Sequence, residues 1–231
     1  ANGRWGECPF CINRLPSADN SLARTDPDLA AFWDTQRNGT GPETIVPGSN
    51  ALAWWRCPEG PDHVWQRVVV DEVTARRGCP MCKGRKVSVT NSVATLYPHV
   101  AEQWHPTRNK DVKPEHVRSL SDRAIWFKCP GGPDHEWETR VRYRTVKSRG
   151  CPFCSGRRVS VTNSLATLAP AVAKEWHPTK NAPLTPAQVT VGSQRKVWWR
   201  NSRSGEEYES SIANRTAMLR KKLVRARRGG R

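Results

Sequence analysis

No run of this chain approaches the roughly 18–20 consecutive apolar residues that a membrane-spanning helix needs. No secretory leader precedes the first cysteine pair. Apolar residues fill only 36% of the 231 positions, too few for one large core but enough for small modules with some further support. Acidic residues are scarce as well: 21 Asp and Glu stand against 38 Lys and Arg, a net charge of +17. That imbalance sets the chain apart from ordinary enzymes and favours a polyanionic partner, DNA or RNA first and acidic membrane surfaces second. The plainer alternative is that the charge serves only solubility. An initiator Met is absent too; the chain starts with Ala inside a repeat, as a fragment or processed product does.

What the chain does have is a period of about 72 residues. Cys57, His63, Cys79 and Cys82 reappear as Cys129, His135, Cys151 and Cys154, each displaced by 72 positions. Trp54 returns as Trp126 and Trp198; Asn91 and Trp104 return as Asn163 and Trp176. In the earliest copy the same marks fall at Asn20 and Trp33, one residue out of register. The expected fold is α+β: small zinc-stapled modules in tandem. Residues 1–19 form the closing half of an upstream unit. Zinc-binding repeats fill 20–90 and 91–162, a degenerate metal-free repeat fills 163–214, and a basic tail runs from 215 to 231. Ten of the eleven Trp sit in repeated columns, with Phe127 and Tyr208 filling two gaps. A structural core is favoured over exposed stacking platforms for most of them.

Each complete ligand set reads Cys-x5-His, then fifteen residues, then Cys-x2-Cys. Three thiolates and one imidazole select tetrahedral zinc and leave no open coordination position, which argues against catalysis by the ion. An iron–sulfur cluster is disfavoured by the His. Six of the eight cysteines belong to these sets, so a disulfide scaffold is not expected. The implied compartment is reducing and cytoplasmic, with the nucleoid as the location in a bacterium. Cys8 and Cys11 match only the closing pair. A third zinc there needs an upstream unit or another chain to complete it. In the last repeat Asn201 replaces the first Cys, and Gly205-Glu206-Glu207-Tyr208 replaces the His-x-Trp element. His105 and His177 correspond to Asp34, so a turn or helix-end role is expected for them, not ligation. His99 and His116 receive no role.

The Val-Ser-Val-Thr-Asn-Ser segment should lead into a short helix capped by Asn or Ser. Pro98 and Pro170 should end that helix and start a second one carrying Val100, Ala101 and Trp104 on one face. His-Pro-Thr-x-Asn makes a turn, and Lys113-Pro114 or Thr185-Pro186 opens a further helical turn. A strand over Ala53–Arg56, Ile125–Lys128 or Val197–Arg200 then reaches the first ligand. The return strand is expected over Val64–Val70 and Glu136–Val141.

Cations cluster beside the paired cysteines: Arg76, Arg77, Lys83, Arg85 and Lys86 in one unit, and Lys147, Arg149, Arg157 and Arg158 in the next. Such a stripe can follow a phosphate backbone. Arg56, Lys128 and Arg200 neighbour the Trp columns, either to touch phosphate or base edges or to lie along the rings with their charge in water. Arg220, Lys221 and Lys222 belong to the tail, either a flexible arm or a helix ordered by its partner.

Trp-Trp-Arg-Cys, Asp-His-x-Trp, Gly-Cys-Pro-x-Cys-x-Gly-Arg and the Asn-Ser-Leu-Ala…Trp-His-Pro-Thr-x-Asn stretch together resemble a family of zinc-ribbon, treble-clef-like repeats common in actinobacterial proteins. The resemblance runs from Cys8 to about Arg215. Such repeats are often joined to restriction-endonuclease-like domains, which implies DNA targeting in defence or mobile elements. This chain departs from the pattern in its metal-free last unit and its orphan first pair. The leading expectation is a zinc-dependent nucleic-acid-binding array on duplex DNA. An adaptor that docks a protein partner through Trp-rich modules stays open. A metal-dependent nuclease is the least favoured reading: Asp62 and Asp134 repeat, but beside a ligand His, where capping or support of that His suffices. The chain is not expected to be an enzyme, and its oligomeric state is open.

Overall fold

The computed structural model describes residues 8–10, 12 and 14–218. Cys11, Arg220, Lys221 and Lys222 therefore lie outside the described residues. The same order of elements appears three times. The first copy holds α1 (Leu22–Thr25), α2 (Pro27–Ala30), α3 (Thr35–Asn38), a 3-10 turn, β1 (Leu52–Arg56), β2 (Val64–Val68) and α4 (Val69–Ala75). The second holds α5 (Val93–Leu96), α6 (Pro98–Ala101), a 3-10 turn at Pro114–His116, β3 (Ala124–Lys128), β4 (Glu136–Arg140) and α7 (Val141–Thr145). The third holds α8 (Leu165–Leu168), α9 (Pro170–Ala173), a 3-10 turn at Pro186–Gln188, β5 (Lys196–Arg200) and β6 (Glu207–Ser211). Helical residues 212–218 follow. These are small α+β modules in tandem, as the repeat implies.

Local chemistry sets the helix starts. Ser92 and Ser164 each accept a backbone N–H three residues on, from Thr95 and Thr167 at 3.2 Å. Proline opens α2, α6 and α9, where its missing N–H costs nothing. These helices last a single turn. The sequence pattern places Trp104 on the face of α6, but the helix ends at Ala101 and Trp104 pairs in extended form with Phe127. Trp33 and Trp176 pair with Trp55 and Trp199 in the same way. The segment after each helix pair is thus a minimal third strand beside the hairpin.

The hairpins share one register: Trp55 faces Trp65, Phe127 faces Trp137, and Trp199 faces Tyr208. Alternation puts Trp55, Phe127 and Trp199 wholly inside, while Trp54, Trp126 and Trp198 stay half-buried on the outer face. The core reading holds for the first column. The second carries a cation over its rings instead: Arg37, Arg108 and Lys180 lie 4.8, 4.3 and 4.2 Å from the ring centroids.

Two expected strand ends are corrected. The return strands stop at Val68 and Arg140, and helices begin at Val69 and Val141. Val69 and Val141 are fully buried, as is Ile212 at the same place in the third copy. Burying that side chain beneath the hairpin overrides the strand preference of a β-branched residue.

The chain divides into two compact units, Ala1–Glu102 with Asp111–Ser121, and Gln103–Lys110 with Asp122–Arg231. In the first unit Leu22, Trp33, Trp55, Trp65 and Val69 form a core that includes Cys57 and Cys79. In the second, Leu165, Val172, Val197, Trp199 and Ile212 form a core around the third hairpin. No helix among the described residues is long and apolar enough to cross a membrane.

Candidate metal centres and basic face

The hairpin places the first two ligands of each set. Cys57 follows β1 and His63 precedes β2, with the Cys57 N–H bonded to the His63 carbonyl at 2.9 Å. Cys129 and His135 repeat this at 3.0 Å. The intervening turn is tight: a Cβ on Gly60 or Gly132 would sit 2.7 Å from the imidazole, so only glycine fits. The paired cysteines arrive from the far side, after α4 and α7. In each knuckle the N–H four residues beyond the first Cys bonds back to it (Lys83 to Cys79, Ser155 to Cys151).

Cys57, His63, Cys79 and Cys82 bring their ligand atoms within 4.8 Å of one another, and so do Cys129, His135, Cys151 and Cys154. Cys57 Sγ lies 3.7 Å from Cys82 Sγ, while His63 Nδ1 lies 3.6 and 3.4 Å from the sulfurs of Cys79 and Cys82. The second set shows 3.7 Å between Cys129 and Cys154, and 3.7 and 3.5 Å from His135 Nδ1 to Cys151 and Cys154. A tetrahedron with zinc–sulfur bonds of about 2.3 Å has sulfur–sulfur edges of about 3.8 Å, so both sets fit zinc. The sulfurs are also far too distant for disulfides, and the ligand cysteines of both sets are free thiols.

Electrostatics point the same way. Desolvation, then hydrogen bonds from Cys79 and Cys57, push the Cys82 thiol up to about 12. Desolvation with Cys129 and Cys151 does the same to Cys154, again to about 12. Thiolates crowded this closely repel one another unless a cation sits among them. Zinc, when bound, supplies that charge and a closed structural cross-link.

The support of the ligand His is the feature that sequence reasoning missed. His63 Nε2 is bonded to Ser88 Oγ at 3.0 Å and to Thr90 Oγ1 at 2.7 Å. His135 Nε2 meets Ser160 and Thr162 at 3.0 and 2.8 Å. Nε2 thus faces two hydroxyls and Nδ1 faces the sulfurs, so the tautomer that carries its proton on Nε2 offers the Nδ1 lone pair to an ion. The Val-Ser-Val-Thr repeat was the visible signal, although it reads more readily as a lead into the next helix. Asp62 and Asp134 hold the same segment by accepting the N–H of Val89 and Val161, both at 2.9 Å. Asn91 fixes the knuckle, bonding the carbonyls of Met81 at 2.9 Å and Lys86 at 3.0 Å; Asn163 does so for Phe153 and Arg158.

That clamp recurs at the first cysteine pair. Asn20 Nδ2 reaches the carbonyls of Phe10 at 2.7 Å and Leu15 at 3.1 Å, and the Ile12 N–H bonds to the Cys8 carbonyl. In the third copy the Asn201 side chain takes the place of a ligand by capping its own turn, accepting from the N–H of Arg203 and Ser204. His105 and His177 are turn residues: each Nδ1 accepts backbone N–H groups two and three residues on, as Asp34 does from Arg37.

The candidate cations fall into distinct groups. Arg76 closes α4 in a left-handed conformation (φ 41°) and pairs with Asp26 at 2.9 Å. Arg56 pairs with Asp34 at 2.9 Å and Lys128 with Glu136 at 3.2 Å. The Lys128 and His105 contacts hold the Glu136 carboxyl below its usual range. Arg85 folds across its knuckle onto the carbonyls of Arg77 and Gly78, as Arg157 does onto Gly150. Lys147 and Arg149 flank the Tyr143 ring. Arg149, Arg157 and Arg158 come together around one open cavity of about 250 Å³. Arg77, Lys83, Lys86 and Arg158 are exposed and have no carboxylate partner among the described residues. Arg144, unforeseen, is buried, bonded to Gln103 at 2.6 Å and lying over Phe127 and Trp137.

No curated protein matches the chain. A family model described as a probable treble clef zinc finger domain matches residues 29–85, 100–157 and 172–223. The third of these segments covers the copy that keeps the hairpin without the ligands. With most of its length matched and two Cys3His groups in place, the chain belongs to that treble clef zinc finger family, as a tandem array of three copies.

Proposed function

We propose that this array binds nucleic acid, with duplex DNA as its partner, and that it serves as a targeting module and not as an enzyme. One observation carries the reading: each zinc knuckle displays exposed cations on a stretch free of carboxylates. No Asp or Glu lies between Glu72 and Glu102, and none between Glu138 and Glu175. Within them Arg77, Lys83, Arg85 and Lys86, and then Lys147, Arg149, Arg157 and Arg158, are exposed. Short, zinc-fixed knuckles hold such cations at set positions, so phosphate neutralisation does not first require ordering a loop.

A binding role is also favoured by how the acids and imidazoles are used. All four donors in each set converge on one point, and both ligand His side chains spend Nε2 on hydroxyls. Asp62 and Asp134 hold backbone N–H groups. None of these is left as a general base beside an open metal position.

The test is a titration of the zinc-loaded chain with duplex DNA, single-stranded DNA and structured RNA, each at several salt concentrations. Duplex should bind tightest, with affinity falling steeply as salt rises. Removing Lys83 and Lys86, or Arg157 and Arg158, should flatten that dependence and leave zinc content unchanged. If no nucleic acid binds above a heparin control, the reading fails and a protein-docking role replaces it.

A further inference from the structure

In the third copy the position of the first ligand opens into a cavity. Lys174, Trp176, Arg200, Arg203 and the Asn201 turn line an open space of about 620 Å³. None of its lining residues is acidic. The cation at the end of the first strand is neutralised in the other copies: Arg56 by Asp34, Lys128 by Glu136. In the third copy Glu207, the counterpart of Glu136, is drawn to Lys180 at 2.7 Å and His177 at 2.9 Å, and Glu175 is held by Arg215. Arg200, Arg203 and Lys174 are left without a carboxylate partner among the described residues. The Trp176 indole N–H also lacks an acceptor among the described residues, whereas Trp33 donates to the Thr40 carbonyl at 2.7 Å.

We propose that this cavity is an anion site that takes a phosphate group. Two arginines and a lysine around one hollow with no acidic lining match the charge and the oxygens of a phosphate. Asn201 makes this compatible with the loss of metal, since its side chain shapes the turn that a ligand cysteine shapes elsewhere. The phosphate has two sources: the backbone of a bound duplex, which rests on the reading above, or a small phosphate such as inorganic phosphate, which does not.

The experiment uses the full zinc-loaded chain and the triple variant K174A/R200A/R203A, with R203E as a single change in an exposed turn. R14A/R24A/K113A removes equal charge elsewhere. Zinc content and circular dichroism verify folding. The first probe is a labelled duplex at several salt concentrations; the second is inorganic phosphate, followed by the Arg Nε resonances. With duplex as source, the triple variant binds about tenfold more weakly. Its salt slope drops by about 0.9 for each phosphate that the variant no longer neutralises, R203E shows a smaller effect, and the control does neither. With a small phosphate as source, phosphate shifts the Arg200 and Arg203 signals saturably and the duplex slope is unchanged. If neither probe distinguishes the triple variant from the control, the site is overturned. If wild type binds no duplex yet the phosphate shifts occur, the site stands and the nucleic-acid reading falls.

Discussion

Ser88 and Thr90 touch no ligand sulfur, yet they decide which nitrogen of His63 faces the thiolates. Replacing them (S88A/T90V) should weaken zinc binding at the first site by about 10–100-fold in competition with a chelator. An unchanged affinity would show that the hydroxyls are incidental. Proton release sets the pH dependence. Because Cys82 and Cys154 are pushed up to about 12 without an ion, zinc must displace their protons, and affinity should rise with pH across the neutral range. A flat profile between pH 6 and 8, by chelator competition at about 0.5-unit steps, would contradict this. The ligands themselves were legible in the sequence, since thiols and imidazoles at fixed spacing have few other uses. Ser and Thr have many, so their part emerged only from the fold that lays residues 88–90 over the imidazole.

The hairpin is the element that the three copies share, and its outer edge is closed by side chains. Asn109 bonds both the N–H and the carbonyl of Trp126 at 2.9 Å, as Asn38 and Asn181 do for Trp54 and Trp198. Asn109→Ala should destabilise its hairpin by about 1–3 kcal/mol, measured by urea unfolding, because the Trp126 N–H loses its acceptor while the Trp126 carbonyl keeps only the His105 N–H. Glu207 makes a pH-dependent contribution at the same place in the third copy. Lys180 first, and then His177, hold its carboxyl down at about 2. A depressed carboxyl stabilises the fold above its ordinary value near 4.3 and loses that effect as pH falls towards about 2. The stability gap between wild type and E207Q should therefore be full at neutral pH and close across that window. The strands were legible from Trp-rich alternation and the single-turn helices from Ser and Pro. The helices at Val69 and Val141 were not, because Val68-Val69-Val70 and the alternating Trp137, Thr139 and Val141 read as strand until the hairpin buries Val69 and Val141.

At the scale of the molecule, the repeat was legible because ligands, Trp columns and Asn clamps share one period. The compact units were not, since they cut across it: residues 91–102 and 111–121 belong with the first zinc site. Asn91 is the link, holding the first knuckle while Val93 bonds to the Val117 carbonyl. Cys79→Ser should thus unprotect residues 91–102 and 111–121 in hydrogen exchange along with its own hairpin, and leave the third hairpin protected. Uniform loss of protection would deny the modules their independence. The most direct test of the account is the metal itself: elemental analysis combined with X-ray absorption on the purified chain. The account predicts two zinc ions per chain in the complete sets, each with three sulfur neighbours and one nitrogen neighbour. Iron, or less than about one zinc per complete Cys3His set, would contradict it.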